Sequence, residues 1–140
     1  MGRGLSDLQK AFLVTAHNNI VSEGGSSAKP CDCFFPEILV SVYDMTPWGL
    51  HSWQTIRDRP RGQKFRRIVT NGIETCVDTR YDSAYAAVSR AARRLQGRGL
   101  VTIYKAECTN WTGISLTEKG RSVALDLVAN GYVVRKVAMS

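Results

Sequence analysis

The sequence predicts an α+β domain, mainly α-helical, with a small β-hairpin between its last two helices. Three observations predict it. Residues 81–121 read in succession as a helix, a two-stranded hairpin and the start of a capped helix. Residues 6–19 and 35–43 carry apolar side chains at three- and four-residue spacing. A chain of 140 residues, 44% of them hydrophobic, is one domain with enough apolar mass to bury a core without staples. The net charge of +7 and the pI near 9.5 favour a polyanionic partner, most simply nucleic acid. That charge is concentrated, since eleven of the nineteen Lys and Arg lie between Arg57 and Arg98.

The first helix is predicted over 6–19. Ser6 is a natural N-cap and Gln9 completes a capping box. Leu8, Ala11, Phe12, Thr15 and Ala16 form its apolar stripe, with Leu5 placed to staple from outside, and His17 near its end reads as a surface or capping residue. Residues 22–29, SEGGSSAK, are a loop by composition. Cys31, Cys33, Cys76 and Cys108 are four, the number zinc wants. Structural zinc uses pairs two to four residues apart, however, and the one close pair here is separated by a single residue. Reduced structural thiols are the leading reading, a redox or metal sensor the next and an intrachain disulfide the last, since disulfides rarely persist in cytosol.

The second helix is predicted over 35–43, with Pro36 at its first position and Phe35, Ile38, Leu39, Val42 and Tyr43 on its buried face. Residues 46–80 then form a segment too long for an ordinary structureless loop. Trp48, Leu50, Trp53 and Ile56 have the spacing of a short helix packed on the core. Residues 57–67, RDRPRGQKFRR, hold six bases and one acid. They read either as a solvated face or as an arm gripping phosphates through Arg57, Arg59, Arg61, Lys64, Arg66 and Arg67. Residues 68–77 read as a strand or hairpin around Asn71 and Gly72.

A third helix is predicted over 83–96, capped by Asp82 or Ser83 and ended by Gly97 and Gly99. It buries Ala84, Val88, Ala91, Ala92 and Leu95. Its other face carries Ala86, Ser89, Arg90, Arg93 and Arg94. A strand over 100–108, a turn over 109–113 and a return strand over 114–116 follow. Thr117 caps a last helix over 117–128, with Val123, Ala124, Leu127 and Val128 facing inward, and Asn130 and Gly131 stop it. Residues 132–139 fit a terminal strand or a dimer contact.

VSRAARRLQGRGLV, a hairpin and then GISLTEKGR resemble the core of a winged helix-turn-helix domain of the MarR and PadR kind. The resemblance implies a recognition helix at 83–96, a wing at 101–116 and a positioning helix at 35–43. Residues 46–80 then become an insertion between the positioning and recognition helices, a departure from the few-residue turn of that motif. The implied function is sequence-specific binding of double-stranded DNA by a homodimeric transcriptional repressor that occludes a promoter. Ser83, Tyr85, Ala86, Ser89 and Arg90 would lie nearest the bases or the adjacent phosphates, and Arg93 and Arg94 on phosphates. Lys105, Asn110 and Trp111 would belong to the wing, although Trp111 fits packing at the hairpin tip equally well. Because winged helices also recruit proteins, a protein-interaction or nonspecific DNA-binding module is the rival reading.

Other classes find little support. The N-terminus lacks an apolar leader, and no stretch approaches the roughly 18 apolar residues of a membrane span, so a cytoplasmic protein with no membrane partner is expected. Gly2 to Ser6 formally fits a myristoylation pattern but reads better as the lead-in to a helix. Asp44, Asp58, Asp78 and Asp82 are scattered, His17 and His51 have no recognisable partners, and there is no phosphate loop. No enzyme activity, cofactor or metal is expected. Trp48, Trp53 and Phe65 fit an effector pocket less well than simple core packing.

Overall fold

The computed structural model describes residues 4–22, 31–45, 50–51, 65–105 and 112–136. Among these, the elements in chain order are α1 (Asp7–Ser22), β1 (Cys33–Phe34), α2 (Phe35–Tyr43), β2 (Leu50–His51), β3 (Phe65–Thr70) and β4 (Ile73–Asp78). They are followed by α3 (Tyr81–Gly97), β5 (Val101–Lys105), β6 (Thr112–Leu116) and α4 (Glu118–Ala129). The architecture is α+β. Its strands form two antiparallel three-stranded sheets, ordered β1-β6-β5 and β2-β4-β3, so each predicted hairpin gains a third strand.

α1 is the axis of the core. Its start is fixed by the expected capping box: Ser6 Oγ accepts from the Gln9 N–H at 3.2 Å, and Gln9 Oε1 accepts from the Ser6 N–H at 3.1 Å. Its burial is wider than one stripe, because Leu13 and Val14 are buried along with Ala11, Phe12 and Ala16. The reason is that α4, α3, α2 and β6 pack around it from several sides. Phe12 meets Phe35 edge to face, with ring centres 5.6 Å apart.

β1 is too short for any period-two pattern to announce it, and nothing in the run around Cys31 and Cys33 predicts a strand. It pairs with the last strand of its sheet, Cys33 opposite Ile114 and Phe34 opposite Gly113. A Cβ at position 113 would lie 2.5 Å from Cys31 Sγ and 2.6 Å from the Cys33 carbonyl, so only glycine admits this approach. Asp32 clips the edge further. Its N–H donates to the Ile114 carbonyl at 2.9 Å, and its Oδ2 accepts from the Leu116 N–H at 2.7 Å.

α2 begins at Phe35, which leaves Pro36 second rather than first in the helix, still within the turn whose N–H groups have no helical acceptor. The Glu37 carboxylate reaches back to the Phe34 N–H at 2.7 Å, and Asp44 ends the helix in the left-handed region at φ 54°. Beyond it, Leu50 and His51 are not helical, contrary to the apolar spacing. They form a strand on the outer edge of β4, opposite Val77 and Cys76, where the ladder satisfies their backbone groups. Trp48, Trp53 and Ile56 lie outside the described residues. β3 and β4 form the hairpin expected around Asn71 and Gly72, which take φ 52° and 76° as a two-residue turn between paired Thr70 and Ile73.

α3 starts two residues earlier than expected. Arg80 occupies the N-cap position with no side-chain cap bond, and Asp82 and Ser83 lie exposed inside the first turn. Its buried residues are Ala84, Val88, Ala91, Ala92 and Leu95, the set the spacing required. Gly99 at φ 76° closes it, with Gly99 N–H donating to the Gln96 carbonyl and Leu100 N–H to the Leu95 carbonyl, each at 3.0 Å. At α4, Thr117 Oγ1 accepts from the Gly120 N–H at 3.1 Å, the expected cap, and donates to the Gly99 carbonyl at 2.7 Å. Ala124 is buried, whereas Val128 is exposed, contrary to expectation, because α4 rests on α1 along one narrow side. Residues 132–136 form no strand. Instead Tyr132 closes back on α1, its hydroxyl 3.2 Å from the Asp7 carbonyl and its ring centre 5.8 Å from Lys10 Nζ.

Candidate functional site

The outward face of α3 gathers most of the expected residues that the structure describes. Ser83, Ala86, Arg90, Arg93 and Arg94 are exposed on it, and Ser89 is half-buried. The N-terminal half is low in profile because its exposed side chains are small, and the C-terminal half is cationic. Arg93 donates to Ser89 Oγ at 3.0 Å, which directs one guanidinium along the helix. Among the described residues no carboxylate pairs with Arg90, Arg93 or Arg94. Among those residues, nothing neutralises these three cations on adjacent turns.

Tyr85 belongs to a different environment. It is half-buried, packed edge to face on Phe35 at 5.9 Å and tilted against Tyr81 at 6.0 Å. Its ring therefore ties α3 to α2. Burial also raises the phenol of Tyr81, helped by Tyr85 and Asp82. The phenol of Tyr43, on α2, is raised by burial while the charge of Arg90 pulls it the other way. Arg90 thus stands within the field of both helices.

Lys105 is exposed at the end of β5. Asn110 and Trp111, and Arg57, Arg59, Arg61 and Lys64, lie outside the described residues. Arg66 and Arg67 fall on β3, opposite Val77 and Cys76. Two bases absent from the expected set join the cationic surface: Arg98 just beyond α3, and Lys119, whose Nζ lies 3.4 Å from the Arg98 carbonyl. Twenty-one residues separate them in sequence, and only the fold-back of β5 and β6 brings them together. The signal was a basic residue at each foot of the hairpin.

Cys31 and Cys33 are buried thiols under the β1 edge. Among the described residues no group of three or more His, Cys, Asp or Glu converges on a metal-sized site, and no helix is long and apolar enough to cross a membrane. The site as built is an extended cationic surface beside small side chains, suited to holding an extended anion.

The molecule is thus an α+β domain in which three described helices pack around α1, with an exposed arginine face on α3. No protein-family model, no curated protein and no solved structure matches this chain.

Proposed function

We propose that the chain is a winged helix-turn-helix protein that binds double-stranded DNA sequence-specifically and represses transcription as a homodimer by occluding a promoter. The observation that carries the reading is the α3 face, where Arg90, Arg93 and Arg94 have no carboxylate partner among the described residues and follow the small side chains of Ser83 and Ala86. A helix with a low-profile start can approach base edges closely, and arginine engages guanine O6 and N7 with two parallel bonds. Outside the insertion, the order of elements supports it as well: helix, short strand, helix, helix, strand, strand and helix, with β1 beside β6 and β6 beside β5. In this reading Arg93, Arg94, Arg98 and Lys119 hold phosphates, and Lys105 approaches the backbone from the wing.

The dimer is supported by apolar side chains left outside. Leu125 and Val128 are exposed one turn apart on α4, and Val21 is exposed at the end of α1. Two-fold symmetry in the protein would match a palindromic operator.

Selection from a random-sequence duplex library tests the proposal. A recovered consensus, bound at least about 10³-fold more tightly than a scrambled duplex, is the expected result. Salt-sensitive binding without a consensus would make the chain a nonspecific binder, and no duplex binding at all would point to a protein-recruiting module.

A further inference from the structure

The cations on the exposed face of α3 lie toward one end of that helix. Arg90 sits midway, Arg93 and Arg94 a turn later, Arg98 just past the end and Lys119 across from Arg98. A helix seated in a major groove has a phosphate strand on either side, so the start of α3 also comes close to phosphates. The base nearest that start along the chain is Arg80, and Asp78 engages it. The Asp78 side chain, 1% exposed, accepts from the Arg80 N–H at 2.9 Å, from Nε at 3.1 Å and from a terminal guanidinium nitrogen at 2.8 Å. A fork closed on a buried carboxylate is a strong internal bond and a poor donor to anything else.

The segment after α4 brings a second base to this corner. Gly131 turns the chain at φ 83°, and residues 132–136 then run back over the body with Tyr132 and Val134 half-buried and Val133, Arg135 and Lys136 exposed. Tyr132 is pinned to the start of α1 through the Asp7 carbonyl, and Val134 packs against the core. Lys136 reaches Asp44, the residue that ends α2, with Nζ 2.9 Å from Oδ1. The charge of Asp44 acts on the Arg80 guanidinium, and that of Arg90 on the phenol of Tyr43, so the end of α2 borders both the start of α3 and its exposed face. The Lys136 and Asp44 side chains are 62% and 55% exposed, and a pair so open to water holds its ammonium weakly. A phosphate that meets the start of α3 can therefore take Lys136 over from Asp44, while Tyr132 and Val134 keep the segment in place.

We infer that the segment after α4 belongs to the DNA interface, and that Lys136 holds a phosphate at the start of α3, the end remote from Arg93, Arg94 and Arg98. The inference rests on the DNA-binding reading above. Arg135 supplies a built-in comparison. It is exposed beside Lys136 and carries the same charge, but that charge acts on the Tyr132 phenol, at the start of α1. A general attraction for DNA would use both bases alike, whereas a phosphate contact at the corner uses one.

The experiment measures duplex affinity across a salt series for the full chain, Lys136→Gln, Arg135→Gln and Asp44→Asn/Lys136→Gln. The duplexes are the library-selected one, its scrambled counterpart, and copies of the first with single phosphates replaced by uncharged methylphosphonates. Losing one phosphate contact lowers the slope of log affinity against log salt by about 0.9. Lys136→Gln should show that drop with its preference for the selected duplex intact, and Arg135→Gln should keep the parent's slope. One methylphosphonate position should weaken the parent as much as Lys136→Gln does, and cost Lys136→Gln nothing further. Equal slopes in Lys136→Gln and Arg135→Gln overturn the contact, as does a Lys136→Gln variant that stays sensitive to every phosphate the parent needs. Recovery of the parent's slope in the Asp44→Asn/Lys136→Gln variant overturns it too, because Lys136 would then act only by masking Asp44. If the parent itself binds neither duplex, the DNA reading falls and this contact with it; a parent that binds with an Arg90-dependent preference isolates any failure to Lys136.

Discussion

Gly120 shows how much of this fold rests on single side chains that are missing. A Cβ there would run into the carbonyl of Leu100, the contact that seats the start of α4 against the turn after α3. The backbone at Gly120 is ordinary helix, so the restriction is purely one of space. Gly120→Ala should destabilise the domain by about 1–3 kcal/mol, the usual range for overpacking, and lower the urea midpoint without changing its slope. Ser41 presents the opposite case. Its hydroxyl is buried on α2 with no hydrogen-bond partner among the described residues. Ser41→Ala removes an unsatisfied group and gains helix propensity, so thermal unfolding should show a gain of about 0.5–1 kcal/mol. No change or a loss would mean that the hydroxyl is satisfied in solution. Neither position is legible in the sequence, because both depend on what lies across a contact rather than on neighbours along the chain.

Helices are where the sequence speaks most clearly. The buried set on α3 follows from spacing alone, and the caps at Ser6 and Thr117 follow from residue type, since both are local rules. The failures share a cause. β1, β2 and the true start of α3 at Tyr81 are set by partners that local patterns do not reveal: Gly113, Val77 and the buried Asp78 carboxylate that accepts from the Arg80 N–H at 2.9 Å, respectively. The α3 face is legible as small and then cationic, but the inward turn of Tyr85 onto Phe35 requires the position of α2. For this element, Arg90→Ala should reduce the preference for selected over scrambled duplex by about 1–3 kcal/mol. Arg93→Ala should weaken both duplexes alike and lower the salt slope by about 0.9. A titration series at several salt concentrations separates the two outcomes, and equal losses from Arg90→Ala would remove it as a base reader.

At the scale of the whole molecule, the described surface includes a cationic face on α3 and an exposed apolar pair, Leu125 and Val128, on α4. If the latter joins two copies, sedimentation at micromolar concentration should give a dimer mass, and Leu125→Glu combined with Val128→Glu should give a monomer that remains folded. The molecule should also respond to alkali. The phenols of Tyr43, Tyr81 and Tyr132 are each raised above 10.0, first by burial. The native state thus holds these protons more tightly than the unfolded chain does. The stability this confers is complete below pH 10.0 and is lost as pH rises beyond it, so a melting series carried into that range should turn downward. Phenylalanine at the three positions should blunt that turn.

The Asp32 carboxylate and the Leu116 N–H that it accepts are 84 positions apart. A ribosome releasing the chain from its N-terminus delivers Cys33 and Phe34 long before Ile114 and Gly113, with which they pair. For that interval β1 has no mate in its sheet, and the thiols of Cys31 and Cys33 have no roof. This sheet therefore closes only on the arrival of β6, and Cys31 and Cys33 pass through a window of thiol reactivity that they lack in the finished fold. A maleimide pulse given to stalled chains of increasing length would label these two cysteines until β6 has emerged, and spare them afterwards.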